Sequence, residues 1–196
     1  EERPQGIVPR DVLLLTCGID VQGNRIEIFV WGWTSDRRSY LIDKLIHPGN
    51  PVLPATWEKV SEFVTGEWDR EGGGSMKLAK VGVDTGYQQT HVLAWARKHP
   101  ALVIAVKGAP SHQAPVFAWG EARDPSGRGG KRRRGQRLGL VGNTVITTEL
   151  YGLLNLDPPT REEAEVGVCH PPGYVHLSDL ADEEFCKQMV GVEWVE

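Results

Sequence analysis

Three runs of β-forming residues crowd the first 46 positions, and the connections between them are too short to hold a crossover helix. Residues 12–19 read VLLLTCGI, residues 26–33 read IEIFVWGW and residues 39–46 read SYLIDKLI. Gly23-Asn24 separates the first run from the second, and Asp36-Arg37-Arg38 the second from the third. Parallel neighbours need a crossover of about a dozen residues or more, so strands joined this tightly pair antiparallel. The pattern predicts a three-stranded meander.

The period then changes. Residues 54–68 carry Trp57, Val60, Phe63, Val64 and Trp68 at near-helical spacing, and the glycines at 72–74 break that run. Residues 78–83 (LAKVGV) and 102–106 (LVIAV) are short apolar strands flanking a helix predicted over 88–98. Apolar strands joined through a helix imply parallel neighbours and a right-handed crossover. Residues 117–121 and 137–141 are expected to pair as a hairpin carrying a basic, glycine-rich stretch at its tip. A helix over 144–154, a late strand over 174–177 and a helix over 179–189 complete the reading, the last capped by Ser178 or Asp179. The fold class is therefore α/β: a mixed sheet of three antiparallel strands followed by parallel ones, flanked by helices. That is the strand-order logic of the ribonuclease H-like fold. Residues 1–11 read as a linker and 12–196 as one domain, with the basic hairpin inserted at about 117–141.

A chain of 196 residues, 40% of them hydrophobic, can bury a core without disulfide or metal staples. The seven tryptophans are expected to lie mostly in that core. Cys17, Cys169 and Cys186 are odd in number and lack a C-x-x-C spacing, which fits a reducing compartment. Cys169-His170 has no second ligand pair at zinc spacing. No apolar run is long enough for a bilayer span. Residues 123–137 hold seven basic side chains against one acid, Asp124, in a chain whose net charge is −4. An acidic body with one basic arm points to a polyanion, and phosphate contacts need no sequence information. Lys131, Arg132, Arg133, Arg134 and Arg137 are the expected nucleic-acid contacts, with Lys107 extending the surface.

Two apolar runs end in aspartate: Gly18-Ile19-Asp20 and Gly82-Val83-Asp84. Adjacent strands lie about 4.8 Å apart, so acids at neighbouring strand ends can share one divalent ion or bracket two. Carboxylate oxygens are hard ligands that suit magnesium or manganese. An aspartate after a strand is also a common turn residue; two in the same setting put the turn reading and the chemical reading on a level. Glu27 and Asp43 are expected to face solvent, and His176 is more readily structural than catalytic. No G-x-S-x-G or H-E-x-x-H occurs. Around Gly127–Lys131, Pro125 stands where a phosphate loop needs glycine and Arg132 where it needs Ser or Thr, so no ATPase site is visible.

These segments together resemble the nuclease domain of phage terminase large subunits of the lambda-like GpA family. LLLTCGIDVQGNRIEIFVWGW resembles its opening block, KVGVDTGYQQTHVLAWARKH its second and VIAVKGAP its third. LVGNTVITTELYGLL, PPGYVHLS and EEFCKQMVGVE resemble later blocks in the same order. The resemblance implies a ribonuclease H-like fold, Mg2+ or Mn2+ as a pair of ions, and cutting of concatemeric viral double-stranded DNA in the cytoplasm of an infected host. By position it makes Asp20 and Asp84 the catalytic, metal-binding acids. Its implied partners are an ATPase domain of the same protein, a small terminase subunit and the portal of the procapsid. Asn143 stands where the family commonly has Asp. The family's third acid, on a further helix, is expected beyond residue 196, with Asp179, Asp182 and Glu183 as weaker substitutes. The alternatives are a non-catalytic DNA-binding or docking module, and another ribonuclease H-like nuclease such as a resolvase.

Overall fold

Alternation in the first strands sets the layer structure. In β1 (Leu14–Val21), Leu15, Cys17, Ile19 and Val21 are buried, while Leu14, Gly18 and Asp20 are exposed. β2 (Arg25–Trp33) runs back along it, and β3 (Ser39–Pro48) along β2, giving the expected meander. The computed structural model describes residues 3–120 and 137–190, the side chain of Val190 excepted.

After the meander come α1 (Pro54–Val64), β4 (Trp68–Asp69), β5 (Ser75–Met76), β6 (Leu78–Asp84), α2 (Gln89–Ala96) and β7 (Val103–Gly108). Then follow β8 (Phe117–Trp119), β9 (Gly139–Val141), α3 (Asn143–Leu154), α4 (Arg161–Glu165), β10 (Val175–His176) and α5 (Glu183–Val190). Among the described residues ten of these segments are strands, and eight form one sheet in the order β10-β3-β2-β1-β6-β7-β9-β8. β6 pairs parallel with both β1 and β7, as the strand–helix–strand pattern required. β8 and β9 pair antiparallel at the base of the expected hairpin. The tip of that hairpin, with Lys131, Arg132, Arg133 and Arg134, lies outside the described residues.

The core lies on one face of this sheet. Trp57, Val60 and Val64 of α1, and Val92, Leu93, Trp95 and Ala96 of α2, pack with Leu15, Ile19, Val81, Val83 and Ala105. Trp57 stacks on Trp95 at 5.0 Å between ring centroids. Burying side chains of this size is worth roughly 1.5–3 kcal/mol each, enough to hold both helices to the sheet.

Several details differ from the sequence reading. The helix expected to reach residue 68 stops at Val64, and Trp68 turns into β4, where its ring meets Phe63 edge-on. β4, β5 and α4 are too short to leave a periodic signature. The stretch read as a linker packs against the domain: Val8 is fully buried and bridges Arg70, and the Gly6 N–H donates to the Ile42 carbonyl. Among the six described tryptophans only Trp57, Trp68 and Trp95 are buried. Trp31 and Trp33 lie half-buried on the opposite face and Trp119 is exposed.

Candidate active site

The register of β1 against β6 determines where the two aspartates lie. Gly18 pairs with Gly82 and Ile19 with Val83. Asp20 and Asp84 each follow by one residue, so they come side by side at the C-terminal rim of two adjacent parallel strands. Ile19 and Val83 are buried in the core, so pleating turns both carboxylates to the opposite face.

That face is only partly covered. On its β2–β3 side, Phe185 of α5 packs on Phe29 at 5.3 Å and Trp31 at 6.5 Å. Toward β1 and β6 that cover stops among the described residues. A Cβ built on Gly18 would meet nothing within 4 Å, and one on Gly82 only the Cys17 carbonyl at 4.0 Å. The two glycines thus form a low, open floor leading up to both acids. A chain backbone can approach such a floor closely, which side chains there would prevent.

Asp20 belongs to a network that sequence reasoning missed. Gln22 donates from Nε2 to Asp20 Oδ2 at 2.9 Å and to Glu27 Oε1 at 3.2 Å. Arg25 Nε donates to Glu27 Oε1 at 2.6 Å. Glu27 is the direct cross-strand partner of Asp20. The sequence pattern turns it toward solvent, yet it is 3% exposed. The predicted parity holds, since Glu27 points away from the core, but Gln22 and Arg25 close over it. Asp43, also expected outside, is buried. A bulge between Val30 and Trp31 sets it opposite Val30, on the core side. There it accepts from Trp68 Nε1 at 2.9 Å and Gln5 Nε2 at 2.6 Å, a structural role.

Asp84 accepts from the Gly86 N–H at 2.9 Å. The neighbouring Thr85 is buried and donates to the Val106 carbonyl at 2.8 Å, tying the loop to β7. The Tyr87 hydroxyl lies 3.7 Å from the Cβ position of Gly23. The loop after β6 therefore meets the β1–β2 turn, and the two acid-bearing segments brace each other. Asn143 starts α3 beside Gly108, its Nδ2 2.8 Å from where a Cβ would stand. Gly108 lies two residues beyond Val106, the register partner of Asp84.

The other candidates lie elsewhere. Lys107 is exposed but follows Val106, so it is turned to the face opposite Asp84. Arg137 is exposed just before β9. His176 sits on β10 at the far edge, stacked on Tyr40 at 4.1 Å and buried. Asp182 pairs with Lys44 at 2.6 Å and caps α5 through the Phe185 N–H, and Glu183 pairs with Lys187 on the same helix. Asp179 lies in the turn before α5. The His170 ring lies against Tyr174 and His176, beside exposed Cys169.

Adjacent strand-end carboxylates suit a hard divalent cation, because Mg2+ typically takes one or two protein carboxylates and fills its remaining positions with water and phosphate oxygens. Among the described residues no group of three or more His, Cys, Asp and Glu converges as a metal cage. The donor set fits an ion shared with substrate and does not fit a closed structural site.

An eight-stranded mixed sheet flanked by helices, with paired acids on the rim of its central parallel strands, defines an α/β domain of ribonuclease H-like type. Within that class, the chain belongs to the family of the terminase large subunit gpA endonuclease domain, which it matches over residues 1–195. It is 30% identical over 191 residues to the terminase large subunit of Escherichia phage lambda, covering 96% of this chain and 28% of that protein. It is 31% identical over 159 residues to the terminase large subunit of Enterobacteria phage P21, covering 80% of this chain and 24% of that one. The chain thus spans about a quarter of the length of these relatives. No solved structure matches it. No helix among the described residues is long and apolar enough to cross a membrane.

Proposed function

We propose that this domain is a divalent-metal-dependent endonuclease that cuts concatemeric viral double-stranded DNA during genome packaging, in the cytoplasm of an infected host. Family membership supports a packaging nuclease and disfavours a resolvase. The observation that carries the chemistry is the alignment of Asp20 with Asp84 one residue past the Ile19–Val83 pair.

In this reading Asp20 and Asp84 would hold one or two Mg2+ or Mn2+ ions at the strand rim. Bound there, such ions acidify an attacking water and offset charge on the phosphate and leaving oxygen. The chain's own residues orient and admit. Gln22 fixes one oxygen of Asp20, the Gly86 N–H fixes one of Asp84, and the Gly18–Gly82 floor lets a phosphodiester backbone come close. Lys131, Arg132, Arg133, Arg134 and Arg137 grip the duplex. The rest of the protein supplies the ATPase motor and the contacts to the small subunit and portal.

Plasmid nicking in Mg2+ or Mn2+ tests the assignment. Asp20→Asn and Asp84→Asn are each expected to lower the nicking rate more than about a hundredfold, beyond the 10–100-fold typical of outer-shell changes at metal sites. Nicking that survives either substitution removes the assignment. The lack of a third converging acid among the described residues favours a second reading, in which this chain is a non-catalytic DNA-binding or docking module. Nicking by a version extended at the C-terminus, but not by this chain, would select it.

A further inference from the structure

β7 is incompletely paired. β6 runs along it from Val103 to Val106, but on its other side β9 joins only at Val106–Gly108. Among the described residues, Val103–Ala105 therefore form an open sheet edge on that side. A groove of about 610 Å3 lies there, with Ile104 and Pro100 on its floor and Lys80, Arg97, Arg137 and Trp119 around it. Among the described residues no carboxylate lines it. Among those residues, too, none of the three cations is in an ion pair, and Lys80 directs one donor to the Ala101 carbonyl. Trp119 is 54% exposed, its ring braced edge-on by Phe117 at 5.1 Å.

Three cations without a facing carboxylate, an apolar floor and an exposed, braced indole make a specific combination. The cations select a polyanion, and the indole offers a flat face for an aromatic ring. A groove of this volume admits ligands of nucleotide size. Stacking platforms inside positive grooves are the means by which proteins hold single strands without reading sequence. The groove lies at the sheet edge, and part of its lining shares a face with the acids. Lys80 pairs with Thr16 and Ile104 with Gly82, on the face that carries Asp84. Lys80 stands four positions before Asp84 on β6, roughly 13 Å along the strand.

We propose that this groove is a binding site for single-stranded DNA. It takes a short unpaired stretch of the strand, one base stacking on Trp119 and the flanking phosphates lying against Lys80, Arg97 and Arg137. The proposal rests on the nuclease reading for its purpose, and its test does not. A strand held there is separated from its complement next to the cutting site, so the enzyme favours frayed or nicked duplex.

Fluorescence anisotropy measures this with a labelled oligothymidylate of about a dozen nucleotides, within the usual site sizes. The titration is run in EDTA so that cleavage plays no part. Expected is binding that unlabelled single strand competes better than a blunt hairpin duplex of equal length. Trp119→Ala should weaken it about tenfold, from a stacking contribution of 1–3 kcal/mol per base, and Trp119→Phe should restore most of the affinity. The pair Lys80→Gln and Arg97→Gln should weaken it and flatten its salt slope by roughly 0.7 for each phosphate no longer neutralised. Unaltered melting temperatures show that the variants fold. Oligothymidylate affinity unchanged in both variants overturns the proposal. So does polyglutamate competing as well as the oligonucleotide, which would make the open edge an acidic-peptide site. Failure of the nuclease reading shows separately, as metal-dependent nicking that survives Asp20→Asn.

Discussion

Asp20 is held by a neighbour that is held in turn: Gln22 bridges it to Glu27, and Arg25 grips Glu27 from the far side. In the proposed site Glu27 would be a positioning residue, since its hydrogen-bonded link to Asp20 runs through Gln22. Glu27→Gln keeps the shape of the side chain and weakens its hold on Arg25 and Gln22. It is expected to raise the Mn2+ concentration for half-maximal nicking by about 10–100-fold, with DNA affinity in EDTA and melting temperature little changed. A metal titration that superimposes on wild type would deny Glu27 this role. Cys17 makes a second single-residue case. Burial pushes its thiol up to about 12 from an ordinary 9.0. A raised folded value means that its contribution to stability is complete below the unfolded pKa and disappears as pH rises toward 12. Cys169 and Cys186 are exposed. A thiol reagent at neutral pH should therefore modify two cysteines in the native protein and the third only on unfolding. Three rapidly reacting thiols in native protein would contradict the packing of β1.

At the scale of elements, α5 decides how much of the open face stays open. Phe185 is its only buried apolar anchor among the described side chains, and the Lys44–Asp182 pair fixes its start. The Lys44 ammonium, followed by the Phe185 N–H, holds the Asp182 carboxyl below its ordinary 3.8. A depressed folded value gives stability that is present above the unfolded pKa and lost as pH falls through the folded one. Amide exchange in α5, corrected for intrinsic rate, should therefore accelerate selectively below about pH 4, before the sheet responds. Asp182→Asn should show that acceleration already at neutral pH. Exchange in α5 that rises only together with β1 and β6 would mean that the pair does not hold the helix. Trp31 of β2 is half-buried for this reason: Phe185, from a helix arriving late in the chain and not from the main core, lies 6.5 Å from its ring.

For the whole molecule, the proposed function makes the charge distribution the feature that would govern how DNA is met. The body is acidic and seven basic residues fall at 123–137, a stretch whose last residue, Arg137, lines the groove. Replacing Lys131, Arg132, Arg133 and Arg134 by Gln should weaken duplex binding uniformly across sequences. The slope of log affinity against log salt should fall by roughly 0.9 for each phosphate that the arm no longer neutralises. An unchanged slope would place the duplex elsewhere.

The meander, the parallel β6–β7 unit, the β8–β9 hairpin and the two acids at strand ends were all legible in the chain. Alternation, helical period and connection length are local properties that a linear sequence carries in full. They also settle which way the residues leading up to Asp20 and Asp84 point, and hence that the two acids share a face once the strands are neighbours. Other features were not legible, because each depends on what arrives from distant sequence. Glu27 is buried because Gln22 and Arg25 fold over it, Asp43 turns inward because of a one-residue bulge, and Lys80, Arg97 and Trp119 meet only because β9 pairs with half of β7. Periodicity reports which side of the sheet a residue faces. Only packing in three dimensions decides whether that side is covered, because burial depends on neighbours that are remote along the chain.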